Sequence, residues 1–542
     1  MKRLRRAVVI PALAGTLLAA GAPVHAGATD RSTQSDQAEQ ALNSTGIPGR
    51  YANQVLGWHP CTSEELSGQT PPPGAEGIEC TTYLTPRDWR DPGAGADLTI
   101  AVSRLKATGN ATASVLVNPG GPGAPGRMFP ARLRNQTRLR EHQEIVGFDP
   151  RGTGKSTNIT CGGAIGTGAA LDPRDRSRRN LNLILEATKY AADSCQVKSG
   201  DLGPLINTEQ TVHDLDLLRV LLGRHRVNWV GYSAGTWLGA HYAQAFPNRT
   251  GRFVLDSNTE FTTTWQKSFD GQPLGFERRW REDFLPWMAR YDGLYHFGTT
   301  GEAARLTYES VRAALAKSPV EVDGAPLSAN EFDSFIASEL YNKRYFPSLA
   351  EYLVNVRTLA ENSGSAAQQA VAKQRVDAAR ADEPGLGPQP LMVPGDGDAY
   401  DASFWTIPCN EGPWFGNRNS VIRQSAELGP RYPLLGWGWV VQPCIFWKNR
   451  PEPLPVLDGA GVPPVLMVQS THDPATPIEG AQRAHAAFRG SRMITVTGEG
   501  DHGIYAGGNA AVDKVVEDYL VDGVVPADQT LPGRPLPVPP GA

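Results

Sequence analysis

The pentapeptide Gly231-Tyr232-Ser233-Ala234-Gly235 follows directly on the apolar run Val227-Asn228-Trp229-Val230. A serine spaced by one residue from a glycine on each side, after a strand and before a helix, describes a nucleophile elbow. The turn is so tight that side chains at the two glycines would collide. Its strain lifts the Ser233 hydroxyl above the sheet edge, and the next backbone N–H, that of Ala234, faces the same pocket. Downstream, Trp237-Leu238-Gly239-Ala240-His241-Tyr242-Ala243 reads as a small-residue helix packed against that sheet. The same five residues also arise by chance in Gly-rich loops, so the motif gains meaning only with partners.

A serine hydroxyl is a poor nucleophile at neutral pH and needs a histidine base, itself oriented by a carboxylate. After an elbow of this kind the partners follow in the order acid, then histidine. Pro464-Val465-Leu466-Met467-Val468-Gln469-Ser470 has the length and β-branched content of a buried strand. It leads into the proline-punctuated loop Thr471-His472-Asp473-Pro474-Ala475-Thr476-Pro477, which presents Asp473 at a strand end. The next strand-like run, Arg492–Thr497, is followed by Gly498-Glu499-Gly500-Asp501-His502-Gly503. His502 therefore falls on the same sheet edge as Ser233 and Asp473. Asp256, in Phe253-Val254-Leu255-Asp256-Ser257, is the rival acid. His472 reads as a loop residue turned away from Asp473, and His213, His225, His241 and His485 as packing or surface residues.

Attack on a carbonyl also requires fixed donors for the developing oxyanion. The strand Ser114-Val115-Leu116-Val117 opens into Asn118-Pro119-Gly120-Gly121-Pro122-Gly123. The two prolines have no N–H, so Gly121 is the best donor, Gly120 the second, and Ala234 contributes from the elbow. The segment Phe148-Asp149-Pro150-Arg151-Gly152-Thr153-Gly154-Lys155-Ser156 ends like a phosphate loop, but Asp149 stands where that motif needs its first glycine. No amphipathic helix follows. Asp149 and Arg151 read instead as braces for the loops around the site.

Taken together, Pro-Gly-Gly-Pro-Gly, Phe-Asp-Pro-Arg-Gly-Thr-Gly-Lys-Ser and Gly-Tyr-Ser-Ala-Gly resemble the prolyl aminopeptidase branch of the α/β-hydrolase serine peptidases. The layout is similar to that of the secreted tripeptidyl aminopeptidases of filamentous bacteria, from about Gly57 to about Leu520. The resemblance implies an α/β-hydrolase fold with a mostly parallel central sheet, and Ser233, Asp473 and His502 as the triad. This chain carries Pro119 where the prolyl branch typically has histidine.

The first 26 residues fit a secretory signal: Lys2, Arg3, Arg5 and Arg6, an apolar stretch, then Val24-His25-Ala26. Losing those four cations makes a formal charge of −4 more negative. A mildly acidic chain with no basic run suits neither nucleic acid nor an anionic membrane. In an exported chain 6 cysteines suggest disulfides. Sequence proximity favours Cys61–Cys80, Cys161–Cys195 and Cys409–Cys444, one of about 15 connectivities. No C-x-x-C or H-E-x-x-H occurs, so no metal site and no cofactor are expected.

After a leader over 27–50, the catalytic core occupies 51–264 and resumes at 451–525, with a Pro-rich tail at 526–542. Thr208–Leu222 is an amphipathic helix with Thr208 and Thr211 available to cap it. Across 265–450 the strand–helix alternation fades into helical segments carrying eight tryptophans, from Trp265 to Trp447. This is a large, mainly helical cap inserted before the acid-bearing strand. An aminopeptidase needs a negative group to hold the substrate ammonium. Glu411, anchored by a disulfide at Cys409, is the first candidate and Glu260 the second, against the plain reading of each as a surface carboxylate.

These observations point to an extracellular serine exopeptidase acting on peptides through an acyl-enzyme, with a tripeptide as the released fragment. An esterase on the same scaffold, and an exported binding protein that keeps a hydrolase shell without catalysis, are the rival readings.

Overall fold

Hydrophobic alternation along adjacent strands decides how the layers form. The computed structural model describes residues 46–66, 76–322, 324–381 and 397–542. The expected signal over 1–26, most of the leader and the linker Pro384–Pro394 lie outside them. Among the described residues one sheet holds, in spatial order, β1 (His59–Pro60), β2 (Ile78–Thr85), β3 (Leu98–Leu105), β5 (Gln143–Phe148), β4 (Ala113–Asn118), β6 (Val227–Tyr232), β7 (Thr250–Asp256), β10 (Val465–Ser470), β11 (Arg492–Thr497) and β12 (Gln529–Pro532). A separate hairpin pairs β8 (Val320–Val322) with β9 (Ala325–Leu327). From β5 to β12 every pairing in the sheet is parallel. β1, β2, β3 and β5 pair antiparallel. This is the α/β-hydrolase fold.

Every residue of β6 and of β10 is buried, because helices cover both faces of a parallel sheet. Successive side chains point to opposite faces. Leu116, Trp229 and Phe253 therefore join one core, while Val117, Val230 and Val254 join another across the sheet. The helix Thr208–Leu221 is capped one residue earlier than expected. Asn207, not Thr208 or Thr211, accepts the Gln210 N–H on its side chain at 2.9 Å, the stronger capping residue of the segment.

Between β7 and β10 the chain leaves the sheet for a mainly helical excursion, yet the two strands are neighbours, with Phe253 opposite Val465. The excursion has its own core, in which Trp280, Phe284 and Trp287 pack with Phe346 and the rings of Trp280 and Phe284 stack at 5.1 Å. The tail is not free. Gln529–Pro532 extends the sheet beside β11, and Trp287 Nε1 donates to the Pro537 carbonyl at 2.7 Å. Proline is tolerated there because β12 is an edge strand.

Disulfides join Cys61 to Cys80, Cys161 to Cys195 and Cys409 to Cys444. Among the described residues no helix is long and apolar enough to cross a membrane.

Candidate active site

Ser233 sits between β6 and the helix Ala234–Ala245 with φ 55° and ψ −127°. A non-glycine residue held there costs about 1–3 kcal/mol, which the surroundings must offset. The Ser233 N–H donates to the Asp256 carbonyl at 3.0 Å and its own carbonyl accepts Thr236 N–H at 2.8 Å. Trp229 Nε1 ties down the Gly235 carbonyl at 3.1 Å. A Cβ on Gly235 would lie 2.8 Å from the Asn118 carbonyl oxygen, so the elbow packs flush against the loop after β4.

That loop supplies one donor fewer than expected. The Gly120 N–H is satisfied by Asn118 Oδ1 at 3.0 Å, which removes Gly120 from the oxyanion donors. Its contribution is closeness: at φ 108° a Cβ there would lie 2.8 Å from both Ser233 Cβ and the Ala234 nitrogen. The amides of Gly121 and Ala234 donate no hydrogen bond among the described residues, and Gly121 and Ser233 line one cleft.

Asp473 and His502 are brought together. His502 Nδ1 lies 2.9 and 3.0 Å from the two carboxylate oxygens, with both side chains fully buried. The backbone N–H groups of Ala475 and Thr476 donate to Asp473 Oδ1 at 3.0 and 2.8 Å, which fixes the carboxylate. An acid on Nδ1 leaves Nε2 as the accepting nitrogen. Nε2 is buried without a hydrogen-bond partner. The Ser233 hydroxyl does not bond to it here, and in ligand-free hydrolases this contact tightens on substrate binding.

The rival acid has a different task. Asp256 accepts the backbone N–H groups of Ile504 (3.0 and 3.1 Å) and Tyr505 (2.7 Å), so it anchors the turn that follows His502. Burial pushes its carboxyl up to about 6 despite those bonds. Tyr232, next to Ser233, reaches the same turn through its hydroxyl, 2.9 Å from the Tyr505 carbonyl. The Asp149 and Arg151 braces are present. Asp149 accepts Arg127 N–H at 2.8 Å and Lys155 N–H at 2.9 Å. Fully buried Arg151 forms a two-point pair with Asp214, each contact 2.7 Å.

A cleft of about 430 Å³ opens over Ser233, roofed by cap residues including Phe276, Tyr341, Tyr400, Trp405 and Trp437. Of the cap tryptophans, Trp405, Trp437 and Trp439 face this cleft, whereas Trp280 and Trp287 are buried in the cap core. Among the described residues lining it, Asp333 is the one carboxylate, and Arg312 Nε already holds it at 2.7 Å.

Neither expected amine anchor lines the cleft. Glu411 is buried, accepting the Thr208 N–H and the Trp265 indole N–H. Burial pushes it up to about 7. Glu260 is paired at two points with Arg483, 2.9 and 2.6 Å. Sequence reasoning missed Tyr341. It lies in the cap, where no motif marks it, yet its ring stands edge-on to the imidazole.

Known proteins share the fold and most of the length of this chain. Residues 113–348 match the family described as alpha/beta hydrolase fold, and residues 432–532 the family described as TAP-like protein. A tripeptidyl aminopeptidase of Streptomyces lividans is 32% identical over 500 residues, covering 89% of this chain and 88% of its own. The serine protease Hip1 of Mycobacterium tuberculosis is 27% identical, covering 90% and 93% respectively. A carboxylesterase B of the same species is 27% identical, covering 82% and 85%.

Proposed function

Because the chain belongs to the tripeptidyl aminopeptidase branch of the α/β-hydrolase serine peptidases, we propose that it is a secreted exopeptidase releasing tripeptides from free N-termini. The observation that carries the reading is the Asp473–His502 couple, whose second ring nitrogen is unpaired, in a chain that also holds a strained serine elbow after β6. Ser233 Oγ attacks the scissile carbonyl while His502 Nε2 takes its proton. Asp473 holds the ring in the required tautomer and stabilises the imidazolium. The carbonyl oxygen, now negative, accepts the N–H groups of Gly121 and Ala234. Nε2–H protonates the departing amine, the C–N bond breaks, and an acyl-enzyme remains. Water, deprotonated by the same nitrogen, cleaves the ester and restores Ser233.

A cleft of this volume suits a short peptide, and its aromatic roof favours apolar side chains. Three disulfides support an oxidising destination. Mass spectrometry of products from a peptide library with free and acetylated N-termini tests the proposal. Tripeptides from the free peptides alone are expected. Equal cleavage of acetylated peptides, or release of single residues, would overturn it.

A second reading, esterase action, is favoured because, among the described residues, the one carboxylate lining the cleft is already paired and leaves none to hold an ammonium. Tripeptide nitroanilides compared with short acyl esters separate the two. An esterase would cleave only the latter.

A further inference from the structure

The residue preceding each member of the acid–base couple is gripped by one turn of the cap. Arg279 and Asp283 lie in the π-helical stretch Arg279–Phe284 and pair with each other, Nη1 to Oδ2, at 2.6 Å. Arg279 Nη2 also donates to Asp501 Oδ1 at 2.7 Å, and Asp501 immediately precedes His502. Asp283 Oδ1 lies 2.8 Å from His472 Nδ1, and His472 immediately precedes Asp473. The loops after β10 and β11 thus close on the same two cap side chains.

Further bonds make this a rigid junction. Lys343 N–H donates to Asp501 Oδ1 at 2.7 Å, Ser470 Oγ to the Asp501 carbonyl at 2.9 Å, and His472 N–H to the Glu499 carbonyl at 2.9 Å. A Cβ on Gly500 would overlap Arg279 and lie 2.8 Å from Asp283 Oδ2, so the turn into His502 passes directly against the pair. Arg279 is buried, 1% exposed, and a guanidinium facing two carboxylates there cannot be removed without leaving buried charge unpaired. π-Helical turns recur at functional sites.

We propose that the Arg279–Asp283 pair is a positioning element for the Asp473–His502 couple, through which the cap sets where the base stands. The inference rests on the catalytic reading of Ser233, Asp473 and His502. Displacement of a reacting group by about 1 Å costs on the order of a hundredfold in rate, so a second-hand grip of this kind has kinetic consequences.

The test uses Arg279→Gln, Arg279→Lys, Asp283→Asn and His472→Gln in the full chain, each read twice. One readout is kcat and KM on a tripeptide nitroanilide; the other is the rate constant for fluorophosphonate modification of Ser233, normalised to the fraction that labels. Arg279→Gln and Asp283→Asn are expected to lower kcat and the labelling rate constant about ten- to a hundredfold, with KM within about twofold. Arg279→Lys restores most of that rate. His472→Gln, at a partly exposed site, folds and gives an intermediate loss. A purely structural role would reduce the labelled fraction and leave the rate constant unchanged, and that result overturns the proposal. Wild-type protein that labels nowhere would instead bring down the catalytic reading, and this inference with it.

Discussion

Tyr341 and His502 touch twice across the seam between cap and sheet. The Tyr341 carbonyl accepts the His502 backbone N–H at 2.8 Å, and the two rings meet edge to face, 5.2 Å apart at 85°. One cap residue therefore holds both the main chain and the ring of His502, and also lines the cleft. Tyr341→Ala removes the ring wall while leaving the carbonyl bond. Steady-state kinetics should show kcat reduced about tenfold, of the size expected for a modestly misplaced base. Tyr341→Phe should stay near wild type.

Asp473 and Asp256 are both buried acids at the sheet edge, and substitution separates their tasks. Asp473→Asn presents the wrong hydrogen-bond pattern to Nδ1 and should lower kcat about 10⁴-fold. Asp256→Asn weakens the anchor of Ile504 and Tyr505 and should cost about 1–3 kcal/mol of stability. Urea unfolding and turnover measured on both variants check the division. Equal losses of turnover would remove it.

Gly120→Ala forces a Cβ to within 2.8 Å of Ser233 Cβ and the Ala234 nitrogen. The displaced elbow amide should cost turnover roughly a hundredfold, with the triad side chains untouched. Active-site titration alongside kcat distinguishes this from a smaller population of folded enzyme.

Glu411→Gln should leave the preference for free over blocked N-termini unchanged, since Glu411 does not line the cleft and its oxygens are taken by Thr208 and Trp265. Its signature is instead in stability. Burial raises the folded-state carboxyl to about 7 from an ordinary 4.5. A raised acid favours the folded state fully below the unfolded value, and that contribution disappears as pH climbs through about 7. The wild type therefore loses on the order of 3 kcal/mol from this group between those limits. Thermal unfolding at pH 4.5 and pH 8 should show the variant gaining on the wild type as pH rises.

Replacing Cys409 and Cys444 together by serine reopens a loop with a sequence separation of 35. The loss expected from chain entropy is about 3–4 kcal/mol, read by urea unfolding, with kcat of the folded fraction retained.

The strand ends that carry the candidate residues Ser233, Asp473 and His502 were legible in the sequence. β6, β10 and β11 are short runs rich in apolar and β-branched residues, each ended by a glycine- or proline-rich loop that carries one polar residue forward. The disulfide partners are near neighbours in the chain, and proximity found them. What the sequence concealed was carried by contacts between distant segments. The Cys409-Asn410-Glu411 stretch looks like polar surface, but it ends the helix Ala399–Glu411 and turns inward toward Trp265. The Gly120 amide looked available because nothing in the spacing reveals that Asn118 folds back onto it. Arg279 and Asp283 sit in a charged helical run, Glu277-Arg278-Arg279-Trp280-Arg281-Glu282-Asp283, in which no motif sets them apart from their neighbours. Burial of Arg279 follows from the cap's seat on the loops after β10 and β11, which periodicity does not encode.

The pairing of Phe253 with Val465 across the whole cap has a bearing on how relatives of such a chain can diverge. Closing a loop grows costlier only with the logarithm of its length, about 0.6 kcal/mol for each doubling. Lengthening, shortening or exchanging the excursion is then a small perturbation for the scaffold beneath it. A transplanted roof would alter which molecules are admitted while leaving bond cleavage intact, provided it brought its own handholds for the two loops it covers.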